Sequence, residues 1–374
     1  MVSIIVLMSA INIQAQNLES KIPGIMSEIE RPSGLESFKP LFHFPPVNQD
    51  TTYVCWSFST LSFLETEMER LGKTPVKLAM MYPVYYGFID KAKLFVETKG
   101  ESRFTPGDLF ITVLDVIKKH GIVPFEAYDG DTRSCSTFNH TQLYEDLNQY
   151  MKEVKEKQIW DEDEVISGVK KVLNHHLGAP PEKIIYKGKE YTPRSFADTH
   201  VNLPWDEYVL VTSFMYDNFD SFIALDVPDN WSKINRFFNV PLNEFYQGIK
   251  NAVTHGYSLA IDGDIGEPGR YGPLDIAVIP SFDIELKSIS QEAREYRFQE
   301  GNTTDDHLMH IIGYQHYNGL DWFLVKDSWR DAWEGLEKGY FFYSEDFIHL
   351  KVLAYLVHKD AVPDITSKMA KVDN

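Results

Sequence analysis

The chain has little cysteine, a deficit of positive charge and no long apolar run. Two cysteines, Cys55 and Cys135, in 374 residues exclude a disulfide-framed scaffold. The 36 Lys and Arg against 55 Asp and Glu leave a net charge of −19, which argues against nucleic acid or an anionic membrane as partner. The acidity reads as a means of solubility. No later segment approaches 18 continuous apolar residues, so no membrane span is expected. The sequence has no internal repeats. What it does have is 43% apolar residues and 14% aromatics, enough for a substantial core in a chain of this length.

The first residues, "MVSIIVLMSAINIQAQN", hold an apolar run from Val2 to Ile11 that is too short to cross a bilayer. Small and polar residues follow. Residues 1–15 therefore read as a secretory signal peptide cut near Ala15, although its start lacks Lys and Arg. This gives an exported protein, periplasmic or secreted. The alternative is a cytoplasmic protein with a packed or disordered N-terminus.

Residues 16–374 read as one domain. A Pro-bearing lead-in of 16–45 wraps over the body. Leu61, Leu64, Met68 and Leu71 share one helical stripe, so 55–71 is a helix stopped by Gly72. Residues 78–98 and 106–120 are helical, and 141–178 form a charged helical pair. Residues 183–193 read as a hairpin around Lys187-Gly188, and 207–240 as short strands. A helix over 242–256 precedes the apolar strand "YSLAIDGD". Two apolar runs flank Tyr317-Asn318-Gly319, a strong hairpin signal. "KGYFFYSEDF" and "LKVLAYLVH" follow as strands. The class is α+β in two lobes: about 40–180 mainly helical, about 183–362 mainly β, then a tail over 363–374.

Four residues carry candidate chemistry. Cys55 starts a helix, where unpaired backbone N–H groups and the helix dipole stabilise a thiolate. Taken alone, a Cys before an apolar helix is more often packing. Gln49, six residues earlier, is placed to donate to an oxyanion beside the sulfur. His307 opens the strand "HLMHIIGY" and can serve as a base. His310 is three residues on, so both cannot face the same thiol. Asp327, at the far end of the partner strand, can hold the other ring nitrogen of His307, and Trp329 can shield that bond.

"NQDTTYVCWSFS", "DHLMHIIGY" and "VKDSW" together resemble the papain-like cysteine peptidases. "YTPRSFADTHVNL", "FFNVPLNEFYQGIKNAV", "TTDDH" and "LAYLVHKDAVP" resemble the bleomycin hydrolase and aminopeptidase C branch. The likeness runs from about residue 40 to near the end. It implies a two-lobed papain-like fold, with a helical lobe around the Cys-bearing helix, a barrel-like antiparallel β lobe and a helical insertion. It implies Cys55 as nucleophile, His307 as general base and acid, and Gln49 as oxyanion donor. His307 is preferred to His310 because Gly313 stands six residues after it. It further implies peptide substrates, aminopeptidase action, no cofactor, and a homo-oligomer, hexameric by resemblance to the branch.

Three departures stand out. Asp327 occupies the family's Asn position. An anion there should keep His307 protonated to higher pH, at the cost of a less willing base in deacylation. Thr51-Thr52-Tyr53-Val54 replaces a loop that usually carries Gly, and Arg330 replaces a Gly. These changes motivate two alternatives: a catalytically impaired peptide-binding scaffold, and a hydrolase of non-peptide amides with the same residues. A tail of this length can also fold back into the cleft and gate it. Cys135 lies in a polar loop, and Cys55 is expected to be free. The "NHH" run, which holds His175 and His176, and the separate His316 lack a ligand-spaced set, so no metal is expected. Asp262 and Asp264 end a strand as cleft neighbours without an assigned role.

Overall fold

Fourteen consecutive residues, Cys55 to Met68, are buried in helix α2 (Cys55–Arg70). A helix apolar on one stripe would expose its other side. This one packs helices on one side and a sheet on the other, so Ser57 and Ser59 must find partners. The Ser57 hydroxyl donates to the Met80 carbonyl, and that of Ser59 to the Met309 carbonyl, both at 2.6 Å. Leu71 falls just beyond the helix and is exposed.

The structure, a computed structural model, describes residues 20–130 and 137–372. The signal-peptide reading of 1–15 and the loop reading of Cys135 lie outside the described residues. The lead-in carries α1 (Ile22–Ser27). Leu41 N–H bonds the Ile312 carbonyl at 2.8 Å, and Phe38 packs onto the sheet. Gly313 explains itself there, because a Cβ on it would come within 3.1 Å of Phe38 Cβ.

The helical lobe adds α3 (Met81–Glu97), α4 (Phe110–His120), α5 (Thr141–Glu156) and α6 (Glu162–Leu177). The last two are the expected pair. His176 Nε2 meets Asp146 of the neighbouring helix at 2.7 Å, so the "NHH" segment closes a helix end. A two-stranded hairpin, β1 (Ile184–Tyr186) and β2 (Lys189–Tyr191), follows, then α7 (Pro193–Phe196).

The sheet comprises β3 (Tyr208–Thr212), β4 (Ser221–Ala224), β5 (Asn235–Asn239), β6 (Leu259–Gly263), β7 (Arg270–Tyr271), β8 (Ile276–Ala277), β9 (His307–Tyr317), β10 (Leu320–Lys326), β11 (Tyr340–Ser344) and β12 (Val352–His358). Their order is β4-β5-β3-β12-β6-β9-β10-β11-β8-β7, so the lobe is an open sheet rather than a closed barrel. Pairing is antiparallel except at β3–β5 and β8–β11. The β9–β10 hairpin turns at Asn318 (φ 49°) and Gly319 (φ 81°), the left-handed pair its sequence calls for.

Alternation along β6 and β9 divides the sheet faces. Ala260 and Leu308 face the Cys55 helix; Leu259, Ile261, Met309 and Ile311 face α8 (Leu242–Thr254) on the other side. Three elements differ from expectation. The strand through "KGYFFYSEDF" stops at Ser344, whose hydroxyl accepts from Phe347 N–H and starts α10 (Glu345–Lys351). Helix α9 (Gln291–Gln299) is too polar to show a stripe. The tail forms α11 (Pro363–Val372), with Ile365 and Met369 buried and Lys368 bonded to Glu244 of α8 at 2.7 Å. No described tail residue lines the cleft that holds Cys55.

Candidate active site

Chain reversal at Asp50 and Tyr53, both left-handed at φ 48° and 52°, delivers Val54 to the start of α2. Tyr53 thus takes a conformation that costs a non-glycine residue about 1–2 kcal/mol. Its ring, half exposed, lies 5.9 Å from that of Trp329. Helix α2 then presents Cys55 at its first turn, 8% exposed and as a free thiol. Trp56 anchors this turn by donating from Nε1 to the Pro106 carbonyl at 3.0 Å.

His307 is the first residue of β9 and faces Cys55. Its Nε2–H donates to Asp327 Oδ1 at 2.8 Å, which leaves Nδ1 for the sulfur. Burial alone would lower its pKa. The Asp327 carboxylate and the Cys55 thiolate, by charge and hydrogen bond, outweigh burial and push it up to about 10. His307 is therefore an imidazolium at neutral pH. His310 goes elsewhere, as the strand geometry requires. Its Nδ1 meets Ser62 Oγ at 2.9 Å, and burial followed by the Lys326 charge holds its pKa well below the ordinary value.

Asp327 lies just past β10. Oδ1 accepts from His307 and from the Trp329 backbone N–H at 2.7 Å. Oδ2 accepts from Arg270 Nη2 at 2.6 Å, with both side chains fully buried. Burial would raise the Asp327 pKa, but the His307 and Arg270 charges hold it well below the usual carboxylate range. Arg270 also donates to Asp331 and to Tyr343 Oη, and its guanidinium lies 4.0 Å from the Phe341 ring centroid. Nothing local announced it: "PGRYGP" is a turn-rich stretch without periodicity. The anion at Asp327 thus has two cations, not one.

Gln49 is 1% exposed. Its N–H bonds the Ser328 carbonyl at 2.8 Å, and its Oε1 accepts from the Ser328 hydroxyl at 2.8 Å. With the oxygen so held, the amide NH₂ is left for the cleft that Gln49, Cys55 and His307 line together. Ser328 has a definable role in the "DSW" block that sequence alone did not assign. Trp329 sits with its ring 6.1 Å from that of His307, tilted by 57°. Arg330 lies over the Trp329 ring at 5.5 Å and is not among the residues that line the cleft.

The cleft is open to solvent and offers about 490 Å³. Its far wall is acidic. Asp229 and Asp306 line it, and Arg103 is the cation among its lining residues besides His307. Asp264 is satisfied by the Gly266 and Thr304 N–H groups and by Lys351 at 3.5 Å. Among the described residues, Glu207, His358 and Asp360 come close enough to share a metal. They read instead as an ion network, because His358 Nε2 meets Glu207 at 3.1 Å, its Nδ1 accepts from Asp360 N–H, and Lys359 reaches Glu207 at 3.3 Å.

Comparison with known proteins fits this geometry. The model of the Peptidase C1-like family matches residues 104–374, well over half the chain. Aminopeptidase G of Lactobacillus delbrueckii subsp. lactis is 23% identical over 361 residues, covering 83% of this chain and 80% of that one. The crystal structure of PepW from Lactobacillus rhamnosis HN001 (DR20) superposes with a TM-score of 0.70 at 19% identity, over 94% of this chain and 87% of that one, and shows a shared fold.

Proposed function

We propose, from the premise that this chain belongs to the Peptidase C1-like family of cysteine peptidases, that it is an aminopeptidase acting through a Cys55 thioester. The observation that carries the reading is the charged His307, held between Cys55 at a helix N-terminus and the buried Asp327. The Cys55 thiolate attacks the scissile carbonyl. The oxyanion of the tetrahedral adduct sits between the Gln49 NH₂ and the Cys55 N–H. His307 Nδ1–H gives its proton to the leaving amine, the C–N bond breaks and a thioester remains. Neutral His307 then takes a proton from water as that water attacks the thioester; the C–S bond breaks, the carboxylic acid leaves, and the Cys55 thiolate and His307 imidazolium are restored. The name of the Lactobacillus delbrueckii relative supports the choice of N-terminal residues as substrates.

The test compares aminoacyl 4-nitroanilides with their N-acetylated forms and with internally quenched peptides. The expected enzyme cleaves the first set, is silenced by a thiol-reactive electrophile on Cys55, and loses turnover in Cys55→Ala. Equal cleavage of internal bonds would refute the aminopeptidase assignment. Slow, unselective labelling of Cys55 would refute the catalytic one.

A further inference from the structure

An aminopeptidase must recognise the free amine of its substrate, and the described tail residues do not reach the cleft. The cleft does contain unneutralised acid. Asp229 comes from the segment between β4 and β5 and rests directly on Gly107, where any Cβ would collide with its carboxylate. Gly107 lines the cleft with Cys55. Asp306 precedes His307 and accepts from Thr304 Oγ1 at 2.7 Å. Behind these stand Asp305 and Asp262.

Asp262 supplies the independent sign. It is fully buried, and no N–H donor reaches either of its oxygens. Its register partner on β9 is Leu308, and both lie on the face toward the Cys55 helix. It therefore points into the acidic group, where it shares a carboxyl–carboxylate hydrogen bond with Asp305 and meets the charges of Asp305, Asp229 and the Cys55 sulfur. Of the nearby cations, Arg103 lines the cleft and favours the charged form of Asp229, whereas two lysines are held elsewhere. Lys91 is held by Asp108 at 3.1 Å and by the Thr105 and Gly107 carbonyls. Lys351 is held by Glu267, Thr303 and the Asn302 carbonyl. Burial first, then the Asp229 charge, pushes Asp305 up to about 7 against its hydrogen bond with Asp262; burial first, with Lys91 and Arg103 opposing and Asp108 and Asp306 adding, pushes Asp229 up to about 6. The carboxyl groups outnumber the cations that face them.

We infer that Asp229 and Asp306, backed by Asp305 and Asp262, bind the α-ammonium group of the substrate's first residue. This rests on the aminopeptidase reading above. Asp229 and Asp306 line the same cleft as Cys55, so a substrate ammonium held on them lies beside the nucleophile.

The experiment measures kcat/KM below pH 7 for an aminoacyl 4-nitroanilide and for its isostere in which hydroxyl replaces the amine. The ratio of the two is read in wild type, Asp229→Asn and Asp306→Asn. Both substrates meet the same Cys55, so loss of folded enzyme cancels. A charge-assisted bond predicts that the ratio falls about tenfold or more in each variant. If wild type prefers the free amine and both variants keep that preference, the site is overturned while the aminopeptidase reading stands. If wild type shows no preference for the amine, both are overturned.

Discussion

Replacing Asp327 by Asn restores the residue that papain-like enzymes usually carry, yet here it should impair the enzyme. In the wild type His307 is raised from 6.5 to about 10. At about 1.4 kcal/mol per tenfold in proton affinity, that is roughly 5 kcal/mol of preference for the charged ring. Asp327 contributes the largest raising effect and the Cys55 thiolate the next, so removing the carboxylate charge withdraws a large part of it. The active ion pair requires protonated His307, so activity is lost as pH rises through its pKa. The alkaline limb of kcat/KM should therefore move down by at least about one pH unit in Asp327→Asn. The fold responds as well. A group with a raised pKa contributes stability that is complete below its unfolded value of 6.5 and disappears as pH rises toward about 10. Asp327, with a depressed pKa, contributes stability that is present above the ordinary carboxylate range and lost as pH falls through it. The variant also leaves Arg270 Nη2 against an amide while the Asp331 ion pair remains, which should cost about 1–3 kcal/mol near neutral pH. Rates are therefore normalised by titrating reactive Cys55, and stability is followed by urea unfolding between pH 5 and 9. An alkaline limb within about 0.3 pH units of wild type, with unchanged stability, would refute the electrostatic account.

Other outcomes follow from the same geometry. Gln49→Ala should lower kcat by about 10²–10³ with little change in KM, and Ser328→Ala by about tenfold, because Ser328 only orients the Gln49 amide. Steady-state kinetics on one aminoacyl substrate tests both, and the reverse order of severity would contradict the assignment. A chain ending at Val362 loses the buried Ile365 and Met369, each worth about 2–5 kcal/mol. It should melt earlier yet keep its preference for free amines; loss of that preference at unchanged Tm would make the tail the gate. Tyr53→Gly should relieve about 1 kcal/mol of left-handed strain while raising KM, read by urea midpoint and kinetics together.

The sequence displayed the site's polar contacts where they were local or motif-borne. Cys55, Gln49 and His307 announce themselves by position relative to a helix start or strand start. The hairpin at Asn318-Gly319 carries its own turn chemistry, and it fixes Asp327 opposite the His307 strand. Arg270 and Asp229 were illegible for a physical reason. Arg270 sits in the two-residue strand β7 between Gly and Pro residues, and Asp229 in a turn, so each reaches the site through chain topology rather than through periodicity. The open ten-stranded sheet follows from strand pairings distant in sequence, as in the parallel joining of β3 to β5. Helix α9 lacks an apolar stripe because Arg294 is buried by hydrogen bonds to the Ser213, His349 and Leu353 carbonyls instead.

Asp327 and Arg270 have to be read as one unit. An asparagine orients the ring without charge, so it needs no counterion when His307 gives up its proton. An aspartate alone would then be a buried anion facing a neutral imidazole, and it would hold the proton back. Arg270 removes that difficulty because its contact with Oδ2 persists in both protonation states of His307. The carboxylate stays satisfied after proton transfer, so His307 can protonate the leaving amine and later act as base. The same contact explains why an amide is a poor substitute here. Its oxygen must accept from His307 and Trp329 N–H, which turns its NH₂ toward Arg270 Nη2, donor against donor. An exchange of Asp for Asn is compatible with this site only if position 270 loses its cation as well.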